Sequence, residues 1–413
     1  MKVTISITGS IERAMRYLLD ILRNLIYSLK PNIFCPIFVS SSQRLTKVAS
    51  PQLPESTTVD SKNLPRKSLI FLSKAVYARC LLSVLLVVCA SVSGNPFAIS
   101  FPCKKDVTNE DYIEIQKQLR TINIDEMLKS YYGDGQGLSG FGDFYGRSTM
   151  GIRGVLIDEE RGLFPSVHLE KIGNGGNRCV VTFGTLNGNY RQFVHSLSRG
   201  LKESGFDGYL YYRISGFPNP TGCEIKYAGV PYCFKVFLLM EAHQLGFDQV
   251  LWIDSVMIPL RDPTPLFNRI ARDGAMFIGH VRGQGSTYIF PEIEELLWRK
   301  TGTEVLVYPN MMAGFFGMDM SRPEAKLFLE RYYELVELGY PFISSYPEEF
   351  VISAILGQPE FRHWMPHWEQ EDARLLHCPH PTLDSVEEIE LSRSWGYMFH
   401  HRCMKNLIVG WDE

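Results

Sequence analysis

Several signatures are missing from this chain, and each absence removes a class of function. There is no C-x-x-C pair, so a structural zinc site of the finger or ribbon kind is not encoded. There is no G-x-x-x-x-G-K-[ST] phosphate loop, and the Gly-rich run at Gly173–Asn177 (GNGGN) reads as a turn. No G-x-S-x-G elbow occurs, which removes a serine hydrolase of that kind. The chain has little charge excess. A formal net charge of -3 gives no global basic surface, so nucleic acid is not an expected partner. No usable N-x-[ST] sequon is present, which leaves the compartment open. What remains is ordinary globular composition, 45% apolar and 21% charged, over a length that allows two or three units.

The first hundred residues differ in kind from the rest. Residues 10–29 place apolar side chains at helical spacing with Arg and Asp between them, and Ser40–Lys67 has the turn-rich look of a linker. Residues 1–67 are therefore expected to be an amphipathic helix and a linker. Residues 68–94 then read as a signal anchor, or alternatively as a cleaved signal peptide. Cys80–Val92 carries no charge, and Arg66, Lys67, Lys74 and Arg79 lie on its N-terminal side only. A span of the required ~20 residues is reached by counting residues 69–93. The one-sided positive charge predicts that the C-terminal domain crosses the membrane. The expected topology is single-pass with that domain translocated, into the Golgi or secretory lumen if the source is eukaryotic; a secreted protein is the alternative, supported by the small residues Ala90, Ser91, Ser93 and Gly94. Six of the nine cysteines (Cys103, Cys179, Cys223, Cys233, Cys378 and Cys403) lie beyond this segment. An even number permits disulfides without fixing their pairing, while Cys179, inside an apolar run, reads equally as a small core residue.

From Arg178 the pattern alternates between strand and helix. Arg178–Phe183 is a short apolar run ending at Gly184, and Tyr190–Ser204 has helical spacing closed by Gly205. Tyr209–Ile214 is a second strand, Val230–Leu245 a helix stopped by Gly246, and Val250–Ile253 a third strand apolar on both faces. This predicts an α/β, Rossmann-like, mostly parallel sheet with helices on both faces. In such sheets ligands sit beyond the carboxyl ends of the strands, which puts Gly184-Thr185 and Asp254-Ser255 at the mouth of a cleft.

Phe247–Phe267 (FDQVLWIDSVMIPLRDPTPLF) carries most of the chemical information. Alone, Asp254 would read as a turn or cap aspartate. In this string VLWIDSVMIPLRDPTPLF resembles the strand-D-x-D-loop segment of GT-A glycosyltransferases, the mannosyltransferase-like branch in particular. YAGVPYCFKVFLLMEA, YPNMMAGFFGMDMS and PEEFVISAIL resemble the helix, acceptor-side and acidic-helix segments of that family, in the same order, over about 170 residues from Gly184 to Leu356. The resemblance implies a GT-A domain over residues 178–413 with residues 101–177 as its N-terminal extension. It implies a nucleoside diphosphate sugar as donor, a glycan or glycoprotein as acceptor, and Mn²⁺ or Mg²⁺ as cofactor. Transfer of a hexose would be its activity, with retention or inversion left open and the mannosyltransferase-like likeness leaning toward retention.

One position departs from that pattern: Val256 stands where the second aspartate of D-x-D would be. Asp254 alone would hold the metal, with His400 or His401 of GYMFHHR as the resembling C-terminal ligand. Asp262, in an Asp-Pro pair, reads as a turn residue. Without metal the leaving diphosphate needs another cation, and Lys235 is the candidate, on one helical face with Tyr232 and Leu239. Gly184 and Thr185 would meet the nucleoside, with Ser255 beside Asp254 in the donor pocket; Asn310 and Gly314 would face the acceptor. Glu348 or Glu349 would orient the acceptor hydroxyl or act as base, although both also suit a helix start. Val256 equally admits a non-catalytic GT-A-like module that binds a glycan or a partner.

Overall fold

The computed structural model describes residues 103–121, 157–279, 289–305, 311–364, 374–378, 384–402 and 405–412. The expected N-terminal helix and linker, and the apolar span at residues 69–93, lie outside the described residues. Among the described residues no helix is long and apolar enough to cross a membrane.

Six strands form the central sheet in the order β1-β3-β2-β4-β7-β6: β1 (Ser166–Ile172), β2 (Arg178–Gly184), β3 (Gly208–Ile214), β4 (Gln249–Ile253), β6 (Ala275–Gly279) and β7 (Met311–Asp319). β3, β2 and β4 pair in parallel, and β1 and β7 run the other way. β6 pairs antiparallel with β7 and so shares the direction of β4. The α/β sheet flanked by helices is thus the architecture expected. A smaller sheet joins β5 (Met257–Pro259), β9 (Phe399–His401) and β8 (Leu376–His377). His377 lies in β8, paired with β9.

Period-2 alternation along the strands divides the core into two layers. Cys179 and Val181 of β2, with Val250 and Trp252 of β4, face one layer with Val236, Phe237 and Leu239 of helix α3 (Phe234–Gln244). Val180, Leu251 and Ile253 face the other, against Val194, Leu197 and Leu201 of α2 (Tyr190–Glu203) and Phe267 and Ile270 of α4 (Thr264–Asp273). Cys179 is therefore a core residue, and burial raises its thiol pKa far above the ordinary range. Part of the N-terminal extension joins the first layer. Helix α1 (Asn109–Thr121) inserts Tyr112, Ile115 and Leu119, and Gln116 exchanges hydrogen bonds of 3.0 and 3.2 Å with the backbone of Ile157. A disulfide between Cys103 and Cys223 resolves one pair among the possible pairings. The GNGGN run is the β1–β2 turn, with Gly173, Gly175 and Gly176 at positive φ. Asp262 accepts from the Thr264 backbone N–H at 2.9 Å, capping α4 as its turn reading implies.

Candidate functional site

Because β2 and β4 are adjacent and parallel, their carboxyl ends open at the same edge of the sheet. The last side chains on the α3 face, Phe183 of β2 with Thr185 just beyond it and Trp252 of β4 with Asp254 just beyond it, bound a cleft of about 200 Å³. Phe234 and Lys235 close it from α3 and Tyr232 from the turn before that helix, with Ser255 and Val256 from the β4–β5 turn, and Asn187, Tyr190, His401 and Lys405 complete the lining. A larger, shallower hollow of about 870 Å³ lies on the outer side of β1 and α2, beside Glu170, His195 and Lys202. It is remote from the parallel strand ends, so the smaller cleft is the site that topology favours.

The charge centre of the cleft is Lys235. Its ammonium lies 3.0 Å from Asp254 Oδ1 and 2.7 Å from Glu348 Oε1, and donates to the Ala313 carbonyl at 3.0 Å. The Trp252 and Tyr232 ring centroids are 5.3 and 5.4 Å away, within reach of a cation–π attraction. Burial opposes the charged form, but Asp254 and Glu348 outweigh it, and the Lys235 pKa is raised. Asp254 Oδ1 also accepts from the Trp252 indole N–H at 2.8 Å. The Asp254 backbone N–H donates to Gly314 O at 2.8 Å, and Asp254 O accepts from Met257 N at 2.9 Å, so the turn after β4 is fixed at both ends. Helix α3 begins at Phe234, later than Val230, because Tyr232 adopts φ +59 and interrupts the helical path. Tyr232 thus shares the cleft with Lys235 but not its helix.

Several expected residues lie elsewhere. After α5 (Pro291–Thr301) and α6 (Pro323–Leu338), Glu348 and Glu349 open helix α7 (Pro347–Leu356) as expected, but both are buried behind Lys235 and neither lines the cleft. Burial pushes the Glu348 carboxyl up to about 7, against the opposing pull of Lys235, with Glu349 raising it further. Glu349 Oε1 accepts from the Ala313 N–H at 3.1 Å and so anchors β7. A Cβ on Gly184 would meet Tyr190 O and Val194 Cγ2, both at 3.0 Å, so the glycine lets α2 pack closely, and it is not among the residues lining the cleft. A Cβ on Gly314 would fall 2.6 Å from Met257 Cε, so its role here is close packing plus its carbonyl contact to Asp254. Asn310 lies outside the described residues.

The two neighbouring histidines separate because successive residues of a strand face opposite ways. His401 lines the cleft, and burial lowers its pKa, leaving it neutral at pH 7. His400 turns away: its Nδ1 is 3.0 Å from Ser392 Oγ, and burial drives its pKa down to about 4. His400 is therefore not positioned beside Asp254 as a metal ligand.

A divalent ion fits this donor set poorly. Asp254 and His401 are the only carboxylate and imidazole on the described cleft wall, and Asp254 Oδ1 is already held by Lys235 and Trp252. Val256 presents an apolar side chain there, and among the described residues no three His, Cys, Asp or Glu side chains form a metal-holding group.

Sequence reasoning missed Lys405, Tyr190, Phe183 and Trp252 as site residues. Strand parity carried a signal for two of them, since Phe183 and Trp252 are the last buried residues on the face shared with Thr185 and Asp254. Lys405 was a basic residue just past the GYMFHHR segment, but nothing local tied it to the cleft. Its ammonium donates to Tyr190 OH at 3.2 Å.

No family model and no curated protein matches the chain. Solved structures similar to it are glycosyltransferases. The galactosyltransferase LgtC, in complex with donor and acceptor sugar analogs, is 13% identical over 55% of this chain and 87% of its own, with a TM-score of 0.33. The bifunctional glycosyltransferase WbbM is 9% identical over 54% of this chain and 45% of its own, TM-score 0.34. Mouse xyloside xylosyltransferase 1 is 11% identical over 56% of this chain and 99% of its own, TM-score 0.33. Similarity at this level carries no weight for the chemistry of the cleft.

Proposed function

We propose that this protein is a GT-A-type glycosyltransferase that moves a hexose from a nucleoside diphosphate sugar to a glycan or protein acceptor. The observation that carries the reading is Lys235, a buried ammonium braced by Asp254 and Glu348 at the carboxyl ends of the parallel strands. Lys405 supplies a second cation in the lining of the same cleft. A diphosphate bound there would have its charge met by both ammonium groups, and the aromatic walls offer faces for a base or sugar ring. The acceptor hydroxyl attacks the anomeric carbon, the bond to the diphosphate oxygen breaks, and the departing negative charge is met by Lys235 and Lys405. His401, neutral at pH 7, can accept a hydrogen bond or proton from a hydroxyl. The Cys103–Cys223 disulfide suits an oxidising compartment and so supports a translocated domain anchored through residues 69–93.

Val256 favours one other reading, a non-catalytic module that binds a glycan or partner in the same cleft. Calorimetric titration of the full chain with UDP and GDP, with Mn²⁺ or EDTA, beside Asp254→Ala, separates the two. Binding of either nucleotide, weakened in the variant, together with release of the nucleoside diphosphate from its sugar conjugate, supports the transferase. Nucleotide-free behaviour in every arm would reject it in favour of the module.

A further inference from the structure

Arg402 and Asp412 form a buried pair that fastens residues 405–412, a strap whose first residue, Lys405, lines the cleft. Arg402 is fully buried; its Nη2 is 2.6 Å from Asp412 Oδ1 and its Nη1 3.2 Å from Oδ2. Asp412 also accepts from the Ser196 hydroxyl on α2 and, at 2.6 Å, from the Ile408 backbone N–H. The Arg402 guanidinium sits 4.7 Å from the Phe193 ring centroid, and its backbone N–H donates to Val256 O at 3.2 Å. Arg402, to which the strap is paired, is thereby tied to the cleft wall. Near the end of the strap, Arg199 of α2 donates to Trp411 O at 2.8 Å and lies 4.6 Å from that ring.

Lys405 stands between these fastenings at φ +56, a left-handed conformation uncommon for a residue with a Cβ. Its carbonyl accepts from Asn189 Nδ2 at 3.4 Å. Strain of this kind persists only where the surroundings over-determine the backbone, and it concentrates at functional sites. Among the described residues only Ser215, Tyr232 and Lys405 are non-glycine residues at positive φ, and two of these three line the cleft. A desolvated ion pair adds little net stability over a well-packed apolar pair, but it does fix geometry. Here the geometry fixed is that of the segment carrying Lys405.

We propose that Asp412 is a positioning residue for the cleft: through Arg402, Ser196 and Ile408 it holds the strap so that Lys405 meets the diphosphate of a bound nucleoside diphosphate. This rests on the cleft reading given above. The test is a set of titrations of the full chain with UDP and uridine, and GDP and guanosine, using wild type, Lys405→Ala, Ser196→Ala, Asp412→Asn and the double variant Ser196→Ala/Lys405→Ala. Lys405→Ala is expected to weaken the nucleoside diphosphate about tenfold and leave the nucleoside unchanged. Ser196→Ala keeps the Arg402–Asp412 pair intact and should weaken the diphosphate about two- to fivefold, again without touching the nucleoside. The double variant should lose no more than Lys405→Ala alone, because both act through one ammonium. Asp412→Asn should match Lys405→Ala if it folds, and Ser196→Ala carries the test if it does not. Equal losses for nucleotide and nucleoside, multiplying losses in the double variant, or wild-type affinity in Ser196→Ala would each overturn the proposal. Failure of the wild type to bind either diphosphate would overturn the cleft reading itself, a result distinct from those.

Discussion

Lys235 Nζ and Glu348 Oε1 lie 2.7 Å apart, and both side chains are nearly withdrawn from water. Desolvating each ion costs several kcal/mol, repaid only when geometry and further hydrogen bonds are good. Asp254 and the Ala313 carbonyl complete the ammonium's shell. Counting one ammonium against two carboxyl groups, the Lys235–Asp254–Glu348 cluster sums to zero when Glu348 is protonated and to a net negative charge when it is ionised, and the Glu348 pKa near 7 puts that change in the neutral range. The buried glutamate thus sets how much of the Lys235 charge is left for a bound anion.

Lys235→Met is expected to destabilise the fold by about 2–4 kcal/mol, at the low end of broken buried pairs because the stranded Glu348 can protonate. Combining it with Glu348→Gln should recover part of that loss, giving a coupling energy of at least about 1 kcal/mol in a urea-denaturation cycle. Purely additive losses would mean that the two groups do not share one environment.

The Glu348 shift also fixes a sign for pH dependence. Its folded pKa, about 7, lies above the ordinary 4.5, so the native state binds more protons than the unfolded chain between these values. Stability from this group therefore falls as pH rises through that window. His400 acts oppositely: with its pKa lowered to about 4, the unfolded chain binds more protons between pH 4 and 6.5, and stability rises with pH there. The two slopes mask one another in the wild type. Thermal melts of Glu348→Gln should expose the His400 slope, with the variant gaining on the wild type from pH 4.5 to 7 and holding constant above. A difference that is flat throughout would place the Glu348 titration elsewhere.

The parallel block and its cleft were legible because Arg178–Phe183, Tyr209–Ile214 and Val250–Ile253 are apolar runs separated by helical spacing, and topology alone places their ends. Lys235 was legible from its apolar surroundings on a helix. Its partnership with Glu348 was not, since that contact joins segments far apart in sequence and depends on how deeply α7 packs. Nor was the difference between His400 and His401, which only a strand's alternation decides once its pairing is known. Tyr232 was misplaced for a local reason: its left-handed backbone breaks a helix that the apolar pattern continues. Lys405 reaches the cleft through a buried Arg402–Asp412 contact that no local pattern announces.

Reduction provides a test away from the cleft. Cys103 and Cys223 close a sequence separation of 120 residues, for which the chain-entropy account gives about 5 kcal/mol of stabilisation. Asn219 holds the Lys104 carbonyl at 2.6 Å beside the bridge, so the segment stays docked without it. Cys103→Ser/Cys223→Ser should therefore melt lower yet keep wild-type nucleotide affinity. Loss of affinity along with stability would show that the loop after β3 shapes the cleft.

Gly200→Ala pits two effects of known size against each other. In the interior of α2 the substitution gains about 1 kcal/mol of helix propensity. A Cβ there, however, would lie 2.7 Å from Pro259 Cδ, 2.8 Å from Pro259 O and 3.2 Å from Pro259 N. Two of those atoms are backbone, so the overlap is relieved only by moving β5 or the helix, and overpacking of this kind costs about 1–3 kcal/mol. The overlap should win, giving net destabilisation in urea titrations. Because Met257 of β5 pairs with His401 and α2 carries Tyr190, a displaced β5 also disturbs both walls of the cleft. Nucleotide affinity should fall with stability, whereas in the disulfide variant only stability should fall. A stabilised Gly200→Ala protein with unchanged affinity would mean that α2 and β5 are not in contact as described.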